Sequence, residues 1–206
     1  KSTNTYWLIN QYASTPQTGM GGRHYYLGEA LAKKGHEVYV VAASYSHLQR
    51  HHPEVTDTYT IQKMMPGLHY VWIKTPEYVH AHHIKRIFNW TIFAWRLWGL
   101  LKILRNRPKA ILFSSPSLFP WITAWLVARR LKVKLVWDLR DLWPLTFVEA
   151  AGMSPLHPLV LLHQALENLA SKKSDYIISN WPGAIYHLVR HGANPQKFAW
   201  IPNGFS

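Results

Sequence analysis

Short, continuously apolar runs alternate along the 206-residue chain with longer segments whose apolar positions return every three or four residues. The first pattern predicts strands buried on both faces, the second helices. Strands are expected at Tyr6–Ile9, His36–Ala43, Leu68–Lys74, Lys109–Ser114, Lys134–Leu139, Asp175–Ser179 and Phe198–Ile201. Helices are expected from Arg23 to Lys34, Ile84 to Arg105, Leu118 to Leu131, Pro155 to Lys173 and Pro182 to His191. Ser44–Pro66 is polar and reads as an irregular excursion. Strands alternating with helices predict a parallel sheet covered on both faces, hence a doubly wound Rossmann-like α/β domain. Seven strands are too few for a closed eight-unit barrel. One such domain is expected to span residues 1–206.

In sheets of this kind ligands bind outside the carboxyl ends of the strands. That singles out the loops Ser14–Arg23, Ser114–Ser117, Arg140–Trp143 and Asn180–Gly183. The first is rich in Ser, Thr, Pro and Gly and opens a helix. Gly21 and Gly22 let backbone N–H groups approach a ligand closely, and a helix N-terminus behind such a loop suits phosphate or carboxylate. It is not a dinucleotide fingerprint: His24 stands where the third glycine belongs, and the second strand ends in Ala42, Ala43 and Ser44 with no ribose-binding acid. No GKS or GKT follows, so a P-loop is excluded. The third loop has the clearest chemistry. Asp138 and Asp141 flank Arg140 in a chain with only 10 acids. Asp141, just past the strand end, can orient or deprotonate an acceptor hydroxyl, and Arg140 can neutralise phosphate. A salt bridge or helix cap is the structural alternative. Ser115 and Ser117 can hydrogen-bond a sugar or phosphate, though loop serines often serve turns.

The segment Ile84–Arg105 is apolar nearly all round. Ile84, Ile87, Phe88, Thr91, Trp95 and Trp98 share one face and are expected in the core. Trp90, Phe93, Leu97, Leu100 and Leu104 form a second apolar face, flanked by Arg86 and Arg96. Docking needs only one apolar stripe, so the second face is expected to meet a membrane or another protein. A helix sandwiched within the domain is the alternative.

The net charge of +13 implies an anionic partner, and 11 tryptophans in a basic chain suit a membrane interface or stacking on single strands. The positive charges are scattered without a nucleic-acid-binding signature, so nucleic acid is disfavoured. There is no cysteine, hence no disulfide framework and no thiol nucleophile. No run of about 18 apolar residues predicts a membrane span. His51, His52, His80, His82 and His83 lack helical i, i+4 spacing in a regular element, so no metal is expected. No GxSxG elbow supports a serine hydrolase.

Three motifs together resemble a known family: Gly21–Gly22–Arg23 with Leu27, Leu31 and Gly35–His36–Glu37–Val38; Arg140–Asp141–Leu142–Trp143–Pro144; and Ile201–Pro202–Asn203–Gly204. They look like the N-terminal domain of retaining GT-B glycosyltransferases of family 4, in particular bacterial aminosugar transferases of the L-fucosamine type used in O-antigen and capsule assembly. The resemblance implies half of an enzyme. A C-terminal domain, not seen in this chain, would bind the nucleotide sugar, usually UDP-linked, while this domain binds the acceptor. It implies that Gly21, Gly22 and Arg23 face the donor phosphates, that Ser115, Ser117, Asp138 and Trp143 face the acceptor, and that Asp141 and Arg140 are catalytic. Many relatives carry His-Asp where this chain has Arg140–Asp141, which favours Asp141 of the two. It further implies retention of configuration without a metal or other cofactor, the leaving phosphate taking the proton. Acceptors would be polyprenyl-diphosphate-linked sugars or glycans, with the protein cytoplasmic and peripheral on the inner face of the cell membrane. The expected membrane-facing residues are Arg86, Trp90, Phe93, Arg96, Leu97 and Leu100. Competing readings are a sugar-nucleotide epimerase of the same fold and a non-enzymatic basic module binding lipid or polyanion.

Overall fold

A computed structural model of the chain describes residues 3–19, 21–78, 85–114 and 117–204. The expected strands and helices form, mostly within two residues of their anticipated ends. In chain order they are β1 (Thr5–Ile9), α1 (Arg23–Lys33), β2 (Glu37–Ala43), β3 (Tyr59–Met65), β4 (Leu68–Ile73), α2 (Lys85–Arg96), α3 (Leu100–Ile103), β5 (Ala110–Ser114), α4 (Phe119–Leu131), β6 (Lys134–Leu139), α5 (Trp143–Glu149), α6 (Pro158–Lys173), β7 (Tyr176–Ser179), α7 (Ala184–Arg190) and β8 (Phe198–Trp200). One sheet runs in the order β3-β4-β2-β1-β5-β6-β7-β8. All neighbours are parallel except β3, which is antiparallel to β4. This is the Rossmann-like α/β architecture the pattern implies.

The sheet separates two apolar layers. On one side Leu8, Val38, Val40, Leu68 and Trp72 pack beneath α1. On the other Trp7, Ile9, Phe113, Trp121, Trp137 and Ile177 pack with α2, α3 and α4. Trp7, Trp72, Trp121 and Trp137 are fully buried, so much of the tryptophan content is core. Each such side chain contributes roughly 1.5–3 kcal/mol or more by leaving water.

Two elements depart from the expected pattern. Tyr59–Met65, anticipated as irregular, is an edge strand joined to β4 by Pro66–Gly67. Gly67 has φ 79°, the left-handed geometry of the third residue of a type II turn, with proline before it. Its residues are exposed or half-buried, which is why no buried-strand signal appears. The long helix is also not continuous. After α2, Leu97–Gly99 tighten into a 3₁₀ turn before α3. The Tyr59 hydroxyl donates to the Arg96 carbonyl at 2.8 Å, and a Cβ on residue 99 would stand 1.9 Å from that hydroxyl.

The two faces of α2 are the reverse of expectation. Trp90, Phe93, Leu97 and Leu100, assigned to a membrane, are buried in the core. Phe88, Trp95 and Trp98, assigned to the core, are exposed, Trp95 by 69%. Both faces are apolar, so the pattern could not choose; the β4–β2–β1 surface and α4 select the face that reaches them. Arg96 binds the Lys74 carbonyl, holding α2 to the end of β4. Ile84, with His80, His82 and His83, lies outside the described residues.

Candidate active site

β1 has β2 on one side and β5 on the other, so the loops leaving the carboxyl ends of β1 and β5 diverge and open a crevice. A cavity of about 400 Å³ occupies it. The loop after β1 supplies Tyr12, Ser14, Gly21 and Gly22; the loop after β6 supplies Arg140, Asp141 and Trp143. Arg23 and His24 enter from α1 and Arg86 from α2.

The β1–α1 loop is held open by its own polar groups. Thr15 and Thr18 exchange backbone-to-hydroxyl bonds at 2.9 and 3.1 Å, and the Tyr70 hydroxyl donates to the Ser14 carbonyl at 2.9 Å. Gly22, with φ 81° and ψ −175°, caps α1, and no side chain bonds the cap. Only glycine tolerates that geometry cheaply. The first-turn N–H groups of α1, with no side-chain cap, therefore open on the cavity.

From the cavity wall inward, a hydrogen-bond chain links the β1–α1 loop, α1, β5 and β6. The Ser114 hydroxyl lies 2.7 Å from Asp138 Oδ2 and must donate to it. It therefore accepts from His24 Nε2–H at 2.6 Å, leaving Nδ1 to accept from the Asn10 amide at 3.1 Å. His24 is thereby held as the Nε2–H tautomer. Its pKa is lowered to about 3, chiefly by burial, then by the charges of Arg140 and Arg23. The ring is neutral near pH 7, so its 3.7 Å approach to Asp138 is not an ion pair. The carboxyl of Asp138 is pushed up by burial, against the pull of Arg23, Ser114 and Arg140.

Arg23 Nε lies 3.6 Å from Asp138 Oδ2, and its Nη1 donates to the carbonyls of Ile201 and Pro202 at 3.3 and 3.1 Å. Arg140 Nη1 donates to Asn203 Oδ1 at 3.0 Å. The two arginines thus fasten the segment after β8 across the sheet edge. A second, larger cavity of about 810 Å³ lies beyond them, lined by Tyr26, Leu27, Ile178, Ile201 and Gly204. Gly22, Arg23 and Arg140 line both.

Asp141 is exposed to the first cavity. Desolvation by its walls raises the carboxyl above the usual range, while Arg140 pulls it down. Opposite, Arg86 stacks over Trp90 at 5.0 Å, Trp143 at 5.7 Å and Tyr12 at 5.9 Å. Tyr12 accepts from Trp90 Nε1 at 2.7 Å and from Arg86 Nε at 3.3 Å. An aromatic wall with a cation beside it suits the apolar face of a sugar and an anionic group.

Of the expected site residues, Gly21, Gly22, Arg23, Arg140, Asp141 and Trp143 come together on one cavity. Asp138 does not: it is wholly buried and serves the chain below the floor, so it cannot touch an acceptor. Ser117 is buried and lines neither cavity. Ser115 lies outside the described residues. Arg86, expected on a membrane, lines the cavity instead. Asn10, Tyr12, His24 and His47 were missed. His24 carried one signal, an imidazole at the start of the helix behind the glycine pair.

The family profile named Glycosyl transferase 4-like domain matches residues 18–204, and the chain belongs to that family. No curated protein sequence matches it. Solved structures share its fold. Sucrose-phosphate synthase from Thermosynechococcus elongatus superposes with a TM-score of 0.70 at 14% identity, over 98% of this chain and 49% of that one. Anabaena HepE in complex with UDP and glucose gives 0.54 at 10% identity, over 98% and 45%. Arabidopsis thaliana UGT89C1 complexed with UDP gives 0.57 at 15%, over 97% and 49%. The chain spans about half the length of these structures. The fold is that of one half of a GT-B glycosyltransferase.

Proposed function

We propose that this domain binds the acceptor in a glycosyltransferase whose donor is a nucleotide sugar, UDP-linked as in several structural neighbours. A C-terminal domain would bring the donor to the edge where Arg23 and Arg140 stand. The observation that carries the reading is the cavity itself: a helix N-terminus, three arginines, a carboxylate and an aromatic wall converge at the switch point of the sheet. Asp141 holds the acceptor hydroxyl for attack on the anomeric carbon. The new glycosidic bond forms as the bond to the diphosphate breaks, and the hydroxyl proton leaves with the diphosphate. Arg140 and the N-terminus of α1 stabilise the charge that develops there. Configuration is retained, and no metal or other cofactor takes part.

The acceptor side of the reading is a polyprenyl-diphosphate-linked sugar or glycan in surface polysaccharide synthesis, the sugar being an aminosugar of the L-fucosamine type. The protein would work in the cytoplasm on the inner face of the membrane. Support comes from the charge of +13 and from Phe88 and Trp95 on α2 and Trp98 in the turn after it, all aromatic and exposed. No helix among the described residues is long and apolar enough to cross a membrane. The test is transfer of labelled sugar from UDP-linked donors to lipid-linked acceptors by the full-length protein. Asp141→Asn is expected to lower kcat by about 10²-fold with an unchanged circular dichroism spectrum. Unchanged turnover would remove Asp141 from the reaction.

A further inference from the structure

Away from the cavity, α6 and α7 are bridged by Glu167, His187 and His191. Glu167 is completely buried. Its Oε1 accepts from His187 Nε2 at 2.7 Å and from Gln164 Nε2 at 3.3 Å, while its Oε2 is buried without a partner. His187 and His191 stand one turn apart, their ring centres 4.5 Å from one another. Gln164 Nε2, which can only donate, lies 3.0 Å from His191 Nδ1 and 3.3 Å from Glu167 Oε1, so that the His191 nitrogen carries a lone pair. One ligand atom from each of the three residues lies within 4.8 Å of the others.

We infer that Glu167, His187 and His191 form a binding site for a divalent transition metal, of which zinc is the natural occupant by donor chemistry. Two imidazoles and one carboxylate, with a fourth position open to water, are a common zinc set; calcium and magnesium prefer all-oxygen shells. An ordinary His187–Glu167 ion pair accounts for Oε1 alone. It leaves the second carboxylate oxygen unpaired inside the protein, a costly arrangement that a metal removes. The Gln164 amide occupies the place next to the His191 lone pair and swings aside when the ion enters. Both histidines are half-buried, which gives the ion a route in. The ion would clamp α7 against α6. None of the three residues lines the cavity, so the site stands apart from the transfer chemistry. The expectation of no metal rested on the histidine-rich loops; the i, i+4 pair His187–His191 satisfies the spacing those loops lack.

The full-length protein, freed of any affinity tag and stripped with a chelator, is dialysed against zinc and its metal content measured. Cobalt substitution then reports ligation through its visible absorption. The wild type is expected to hold one zinc more than His187→Ala or His191→Ala and to show cobalt bands that both variants lose. His51→Ala with His52→Ala is expected to lose neither. Both ligand substitutions fall on half-buried positions, and the wild-type measurement stands even if one variant misfolds. Wild type without zinc, or zinc content and cobalt bands unchanged in folded His191→Ala, would overturn the site.

Discussion

His24 is held neutral chiefly by its burial, then by Arg140 and Arg23, and that has a consequence for acid stability. Its folded pKa of about 3 lies below the 6.5 of the free side chain, so the unfolded chain binds the extra proton first as pH falls. The stability this contributes is complete above pH 6.5 and is lost progressively toward pH 3. Unfolding free energy is expected to fall by up to about 1.4 kcal/mol per pH unit in that window from this group. His24→Asn, measured by denaturant titration across the same range, is expected to show a shallower slope by nearly one proton. An unchanged slope would mean that His24 is not the buried neutral base described. Asp138 acts with the opposite sign: its raised carboxyl favours the protonated form, so its contribution is lost as pH rises through its folded pKa. The place of Arg140 and Asp141 on the cavity was legible from sequence, because both fall just past a strand end at the carboxyl edge of the sheet. His24 was not, since its meaning comes from Ser114, 90 residues away. Asp138 was misassigned because the strand's alternation does not reveal that its last polar residue turns inward beneath Ser114.

At the scale of elements, α2 buries one apolar face and leaves the other exposed. Phe93 and Leu97 sit wholly in the core with Trp7, Ile9 and Phe113. Glutamate at both positions would bury two unpaired carboxylates and forfeit two large apolar side chains. Each loss exceeds about 3 kcal/mol against a total stability of about 5–15 kcal/mol. Phe93→Glu with Leu97→Glu is therefore expected to unfold the protein, read as loss of near-ultraviolet circular dichroism. Phe88→Ser with Trp95→Ser should leave the fold intact. That pair should weaken pelleting with anionic liposomes by about tenfold per aromatic removed, if the exposed face lies on the bilayer. Liposome binding unaffected by that pair would take α2 out of any membrane contact. The pattern announced a helix with two apolar sides but held nothing to say which side the sheet would claim. The break at Leu97–Gly99 was equally hidden, and Tyr59, which packs against it, sits on the edge strand β3.

At the scale of the molecule, the parallel sheet and its carboxyl edge follow from seven apolar runs and the helices between them. β3 escaped because an exposed antiparallel edge strand carries no buried signature. The order β3-β4-β2-β1-β5 places the divergence beside β1, and there the glycine loop meets Arg140 and Asp141. The chain spans about half of the GT-B structures it resembles, and residues 201–203, bound by Arg23 and Arg140, cross the same edge. The arginines stand where the two cavities meet; on the function proposed above, that is the side from which a donor domain would close. The most direct test is the crystal structure of the full-length protein with UDP and a saccharide acceptor. The acceptor hydroxyl is expected within hydrogen-bond distance of Asp141, its sugar ring against Trp143. Acceptor density elsewhere, with the cavity between Gly22 and Trp143 filled by water alone, would contradict it.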